Sequence, residues 1–528
     1  MNDKNIFNFC KQAGCCDTCS LRYLGLKSPT FYEDIKKSAQ RYKDEKTEVL
    51  DSEKPPDDSN KETTDDCDSP PPAKKLKPNL CVVCLGILQE ETWNDSFNMV
   101  KEVLERKKYT SNTFACALSS PIATILREKA MALRLEKEIL DYYSNIVTPL
   151  KEAWKWSFGT KLAPVIDKKL DSGAVSPLLI TFSYDYLDDL QELEILKKIA
   201  APLFESRRQQ HKRFATEFTR RVVEQALQNV TVDALKAASE SCCMAPVDTA
   251  AKCVSVVCTH SPLYLGGRYI KLSRDLPQTP WILSGKRVMP SSVQEIIFQP
   301  IADLYGMSEA EAETRLKLIA AGREDVDVRC LGQGRPFAIE ITDPQRQLTT
   351  EELEKACKLI SSAGDVIVRT LVPIVKDDLA LLKKGEETKT KTYEAICIKL
   401  TRSEFDQMDP NAPITVTDVD LKRINTYRNT PLSNKARIEI SQATPIRVLH
   451  RRPLLTRTRH IIDVHATKVS GYPQLLLLRV HTSAGTYVKE WVHGELGRTR
   501  PALAHILGAR ADLLALDVTA VNLAWPPY

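Results

Sequence analysis

Two Cys-x-x-Cys pairs, Cys16-Asp17-Thr18-Cys19 and Cys81-Val82-Val83-Cys84, constrain the chain most. Four thiolates at this spacing can close on one tetrahedral metal ion, so two segments far apart in sequence must meet. What lies between them does not read as a core. Residues 44–68 carry 11 Asp and Glu against 3 Lys, and Pro70-Pro71-Pro72 follow. Low hydrophobicity with clustered like charge predicts a disordered insertion over 44–78. Such an insertion lengthens a metal-closed loop at small entropic cost. The expectation is a structural zinc on Cys16, Cys19, Cys81 and Cys84. Cys10 and Cys15 are rival ligands, but only Cys16 has a Cys-x-x-Cys partner. Four unrelated buried cysteines is the other reading. A redox pair fits less well, because neither pair opens a βαβ unit.

The 528 residues predict two to four domains. The N-terminus, Met1-Asn2-Asp3-Lys4, opens no apolar leader, and the longest apolar candidate, Leu475–Leu478, is far too short to span a bilayer. Fifteen cysteines therefore read as reduced thiols in a reducing compartment. Pro72-Ala73-Lys74-Lys75-Leu76-Lys77-Pro78 is similar to a simple nuclear import string. Nucleus and cytoplasm are the expected residences, with the mitochondrion left open. No oligomer interface stands out, so a monomer is expected. The net charge of +5 is modest, but residues 421–510 hold 16 Lys and Arg against 4 Asp and Glu. Arg447, Arg451, Arg452, Arg457 and Arg459 crowd one short stretch there. A field of this sign attracts a phosphate backbone.

From 95 to about 250 the pattern alternates between helix and strand. Residues 119–143 and 208–228 read as helices, the second with Arg213, Arg220 and Arg221 on a basic face. Leu178–Tyr184 and Lys252–Val257 read as strands. Ser261-Pro262 reads as a domain junction, leaving 1–43 with 79–261 as one unit and 262–528 as another.

The octapeptide Gly322-Arg323-Glu324-Asp325-Val326-Asp327-Val328-Arg329 sits where a helix over 308–321 is expected to give way to a strand. Ser308 and Glu311 form a capping box, and Gly322 suits a left-handed position after the helix. Val326, Val328 and Cys330 then alternate with polar residues. Gly332–Pro336 reads as a turn, and Phe337, Ile339 and Ile341 as the return strand of a hairpin. Asp325 then lies at a sheet edge, on the rigid support a catalytic group needs. Tyr393–Ile398 reads as a further strand.

Gly-Arg-Glu-Asp-Val-Asp-Val-Arg followed by Leu-Gly-x-Gly-Arg-Pro-Phe resembles the tenth pseudouridine synthase family of archaea and eukaryotes. Lys391-Thr392-Tyr393 resembles its tyrosine motif. Gly485-Thr486-Tyr487-Val488-Lys489-Glu490 and Gly494–Pro501 resemble its third motif. The implied fold is α+β. It has a catalytic domain with a mixed, largely antiparallel sheet, preceded by a zinc-containing accessory domain of the RNA-binding THUMP type. The implied reaction isomerises uridine to pseudouridine in the T arm of tRNA, at position 54, 55 or both, with no cofactor for catalysis. In it Asp325 is the nucleophile, Lys489 its ion-pair partner, Tyr393 the platform for the flipped base, and Leu496 the back of the pocket. Asp327, two residues on, is the rival nucleophile. Arg323 has two readings: it expels the target base, or it pairs with Glu324 or a phosphate. Residues 285–298, from Gly285-Lys286-Arg287, would form one RNA-gripping loop. Residues 423–438, with Arg423, Arg428, Lys435 and Arg437, would form the other. Arg451 and Arg452 are further expected RNA contacts. Two rival functions remain: an RNA-binding protein of the same fold without catalysis, and a zinc-dependent RNA-modifying enzyme. A four-cysteine site leaves no open coordination position for the latter.

Overall fold

The computed structural model describes residues 2–43, 79–143, 147–171, 173, 175–209, 216–239, 244–406, 412–428 and 438–527. The expected insertion at 44–78, its basic string, and Lys435 and Arg437 lie outside these residues. The chain divides into two compact units, Met1–Ser261 and Pro262–Tyr528. Among the described residues no helix is long and apolar enough to cross a membrane.

The first unit carries a four-stranded sheet of β1 (Thr113–Ser119), β2 (Lys169–Leu170), β3 (Leu178–Asp185) and β4 (Lys252–His260), in the order β2-β1-β3-β4. β1 is parallel to both neighbours, and β3 is antiparallel to β4. Leu178, Ile180, Phe182 and Tyr184 alternate inward along β3. Behind them Trp154 stacks on Phe158 with ring centroids 4.6 Å apart, and Phe182 meets both edge-on. The helix expected over 119–143 is shorter, Ala123–Glu138, because Ser119 still belongs to β1. Of the span 208–228, only Arg220–Ala226 and the end of Ala201–Gln209 are helical among the described residues.

The second unit is built on β5 (Leu263–Lys271), the hairpin β6 (Ile282–Leu283) and β7 (Lys286–Arg287), β8 (Leu316–Ala320), β9 (Arg329–Ile341), β10 (Val366–Ile374), β11 (Lys391–Lys399), β12 (Ile438–Ala443), β13 (Thr456–Val469), β14 (Tyr472–Thr482), β15 (Thr499–Arg500) and β16 (Ala511–Val521). All but the hairpin form one sheet, in the order β10-β5-β9-β16-β11-β14-β13-β12-β15, with β8 also on β9. Among the described residues only β9 and β16 run parallel, so this is the mixed, largely antiparallel sheet of an α+β unit. Helices Val293–Tyr305 and Thr350–Ser362 cover one face around Phe337, Ile339 and Ile341.

Two local expectations need correction, and both lie beside the octapeptide. The Ser308–Glu311 capping box is present, but its helix stops at Arg315. Leu316–Ala320 is β8 instead, antiparallel to β9 from Leu316↔Ile341 to Ala320↔Phe337. Leu316, Leu318 and Ala320 join one core and Ile319 another, a period-two division that tertiary pairing imposes over local helix preference. Gly322 does have positive φ, 85°, but after a strand. The turn expected at Gly332–Pro336 is continuous strand. There β9 leaves its parallel partner β16 and passes to β5. A Cβ at Gly332 would stand 2.2 Å from the Thr519 carbonyl oxygen, and one at Gly334 2.4 Å from that of Tyr269. Glycine is therefore needed for close backbone approach there, rather than for chain reversal.

Along β11, Tyr393, Ala395, Cys397 and Lys399 face inward. Lys399 is fully buried and bonded at 2.8 Å to Asp406 and Asp420. Lys399→Met leaves two carboxylates without their cation and should destabilise this unit by about 3–5 kcal/mol. A thermal melt followed by near-UV circular dichroism reads this directly, and an unchanged midpoint would refute the structural role.

Candidate active site and metal centre

The loop joining β8 to β9 carries the octapeptide, and buried side chains hold its backbone. Lys271, at the end of β5, donates to the carbonyls of Leu276 at 2.8 Å, Asp325 at 3.2 Å and Val326 at 2.7 Å. Burial lowers its pKa, offset in part by Glu324 and Asp327. Arg335 of β9 pairs with Glu324, both about 1% exposed at the side chain, and also donates to the Ala321 carbonyl at 2.9 Å. Tyr269 donates its hydroxyl to Glu324 at 2.7 Å. Gln278 donates to that hydroxyl at 2.8 Å and to the Gly322 carbonyl at 3.1 Å. Four loop carbonyls and the Glu324 carboxylate are thus tied down. Glu324 does not pair with Arg323, which corrects that reading of the arginine.

Asp325, beside this clamp, turns its carboxylate into a cavity of about 500 Å³. Arg323, Lys391, Tyr393, Arg447, Arg451, Arg452 and Lys489 share that cavity. Arg447 Nη1 lies 3.0 Å from Asp325 Oδ2 and 3.1 Å from Oδ1. Its Nε is anchored 2.7 Å from buried Glu490. Lys489 Nζ stands 3.5 Å from Asp325 but 2.7 Å from Asp327. The expected Asp325–Lys489 pair therefore exists as the weaker half of a shared contact. Arg447, expected only as one member of a basic stretch, is the closer partner. Burial raises the Asp327 pKa, but the Lys489 hydrogen bond and charge outweigh it and bring the pKa down. Asp327 is thereby committed to Lys489.

Tyr393 is buried on β11 and lines the cavity. Burial, with Arg335 opposing it and Cys330 and Asp325 adding to it, pushes its phenol up to about 12. Leu496 requires correction. It is 95% exposed, in the turn Glu495–Gly497, and lines a separate cavity with Thr401, His505 and Asp512. The apolar wall of the Asp325 cavity comes instead from Val328, Val448, Val488, Leu516 and Val518.

The basic residues divide. Arg323, Arg451 and Arg452 border the cavity. Lys286 and Arg287 occupy an exposed hairpin strand, with Arg287 paired to Glu295. Arg428 is exposed. Arg423 already has partners within the protein. It donates to the Ile506 carbonyl at 2.8 Å and lies 3.6 Å over the Phe405 ring.

In the first unit the Sγ atoms of Cys16, Cys19, Cys81 and Cys84 all lie within 4.8 Å of one another. Cys16 Sγ and Cys84 Sγ are 3.8 Å apart. Tetrahedral Zn–S bonds of about 2.3 Å place sulfurs about 3.8 Å apart, so the donor set fits zinc in type and spacing. Buried Arg22 donates to Cys19 Sγ at 3.7 Å, placing a cation against a site that would carry net negative charge.

Two family models match the chain: Pus10, C-terminal, over residues 264–522, and Eukaryotic Pus10, N-terminal, over residues 81–258. The chain is 30% identical to the tRNA pseudouridine synthase Pus10 of Xenopus laevis, covering 98% of this chain and 96% of that one. It is 30% identical to the Mus musculus protein of the same name, over 99% and 98%. It is 33% identical to the Homo sapiens protein, over 86% and 80%. With matches to both halves and near-complete coverage of its relatives, the chain belongs to the Pus10 family of tRNA pseudouridine synthases, which are isomerases.

Proposed function

We propose that this chain isomerises uridine to pseudouridine in the T arm of tRNA, at position 54, 55 or both, with Asp325 as nucleophile. The observation that carries the reading is the convergence of Asp325, Arg447, Lys489 and Tyr393 on one cavity in a member of this family. Making pseudouridine breaks N1–C1′, forms C5–C1′ and moves a proton from C5 to N1. The change is redox-neutral.

A uridine inside a folded arm must leave its stack before Asp325 can reach it, at a cost of a few kcal/mol. Arg323, Arg451 and Arg452, at the cavity, would draw the flanking phosphates in. The uracil stacks on Tyr393, and the valine wall excludes water. Asp325 then meets the ribose C1′ while Arg447 and Lys489 balance its charge. The clamp beneath the loop holds the carboxylate in place, so little reorganisation is needed as the bond breaks.

The first unit would serve as a THUMP-type accessory domain, with zinc on its four cysteines. Bound zinc would supply a covalent-strength crosslink between residues near 16 and near 81 and no catalytic chemistry. On this reading the chain would work as a monomer in a reducing compartment: nucleus, cytoplasm or mitochondrion.

Single-turnover assays on an unmodified tRNA transcript test the catalytic assignment. Asp325→Asn should abolish pseudouridine formation while tRNA binding persists. Asp327→Asn should retain activity. The reverse pattern would make Asp327 the nucleophile. Wild type that binds tRNA without forming pseudouridine would leave a non-catalytic RNA-binding role. Arg447→Met should lower the single-turnover rate by about 10²-fold, the scale of losing one preorganised charge contact. A rate within twofold of wild type would show that Lys489 alone suffices. Metal analysis of the purified full chain should find one zinc per chain, lost in Cys81→Ser/Cys84→Ser together with proteolytic resistance of the first unit. A metal-free, equally resistant wild type would contradict the site.

A further inference from the structure

Lys391 shares the cavity with Asp325 and Tyr393, and the mechanism above gives it no task. It stands two residues before Tyr393 on β11, so the strand's alternation places both on one face. Its surroundings are unusual for an ammonium. A Cβ built at Gly322 would lie 3.4 Å from Lys391 Nζ and 3.2 Å from Arg335 Nη1, so the two cationic groups border the same point. Glu324, a buried carboxylate of the same cavity, is already taken by Arg335 and Tyr269. Among the described residues no hydrogen bond or ion pair reaches the Lys391 ammonium.

Lys271 shows the contrast. Lys271 is fully buried, where Lys391 is only half-buried, and three carbonyls cap it beneath the loop. A half-buried lysine without such caps, beside a guanidinium and open to a catalytic cavity, is poised to lose its proton. Burial first, then the charges of Arg335 and Lys389, bring its pKa down to about 7, with Cys330 and Glu324 opposing. The other charged groups at the cavity are Asp325, Lys489, Arg447, Arg323, Arg451 and Arg452. Tyr393 is the other candidate base, but with its phenol pushed up to about 12 it stays protonated at neutral pH.

We infer that Lys391 is the base that removes the C5 proton after the new C–C bond has formed. This rests on the isomerase reading above. Once C5 is bonded to C1′, that carbon still carries its hydrogen, and the ring holds an N1=C6 double bond. The neutral Lys391 amine takes the proton. The C5–H electron pair restores C5=C6, and the N1=C6 π pair returns to N1. N1 then takes a proton from the newly formed ammonium, directly or through water. Lys391 ends neutral, and no atom or electron is left over.

The test uses the full chain under single-turnover conditions, on a T-arm transcript with either uridine or 5-fluorouridine at the target. Fluorine at C5 leaves no proton to remove, so rearrangement to the C5-linked nucleoside needs no base. With uridine, the wild-type rate should rise with pH through about 7 and then level, because the neutral amine is the active form. Lys391→Met and Lys391→Arg should both slow uridine conversion by about 10²–10⁴-fold, the scale of general base catalysis, and lose that rise. Both should rearrange 5-fluorouridine at the wild-type rate, which also shows that they fold and bind. A fully active Lys391→Arg with an unchanged pH profile would overturn the inference in favour of a fixed positive charge. Equal slowing of both substrates by Lys391→Met would overturn it in favour of a purely structural role. Wild type that converts neither substrate would remove the isomerase reading, and this inference with it.

Discussion

Glu324 and Arg335 form an ion pair almost without solvent contact, one residue from the carboxylate that faces the cavity. Burying two charges costs several kcal/mol per ion, and such pairs seldom add net stability over apolar replacements. Their value here is positional. Arg335 also holds the Ala321 carbonyl, Tyr269 and Gln278 complete the polar set, and Lys271 caps the carbonyls of Asp325 and Val326. Losing one member strands a buried charge, a penalty of about 3–5 kcal/mol that keeps the loop in one arrangement. The loop is therefore not a flexible connection that happens to carry an acid. It is a fixed backbone, with the Asp325 side chain as its reactive projection.

The cavity is electrostatically lopsided. Arg323, Arg335, Arg447, Arg451, Arg452 and Lys489 face Asp325 and Glu324. Such an excess is costly in the free protein and is relieved by a polyanion. The same cations that oppose one another thus favour a bound phosphate backbone. Within the cavity the roles separate by contact. Arg447 and Lys489 meet carboxylates, Arg323 and the Arg451–Arg452 pair face outward, and Lys391 is left beside a guanidinium.

Much of this was readable from residues alone. Strand-like runs located β3, β4 and β11, the four metal-spaced cysteines do converge, and Asp325, Tyr393 and Lys489 do share a cavity. The failures have local causes. Leu316–Ala320 follows a well-capped helix and looks like its continuation, and only pairing with β9 makes it a strand. Gly332 and Gly334 resemble turn residues because the same absence of Cβ serves turns and close backbone approach. Arg447 lies 122 residues from Asp325, and no spacing rule joins them. Leu496 was carried over from a motif, and its exposed left-handed turn does not deliver a leucine to the cavity. The clamp was invisible because each member is an ordinary polar residue until β5 and β9 lie side by side.

The most direct measurement is a crystal structure of the full chain bound to a T-arm RNA carrying an unreactive uridine analogue at the target. That nucleotide should be flipped into this cavity, its base against Tyr393 and its ribose C1′ about 3–3.5 Å from an Asp325 carboxylate oxygen, the distance of a near-attack geometry. A target base left in its stack, or a flipped nucleotide seated away from Asp325, would contradict this mechanism.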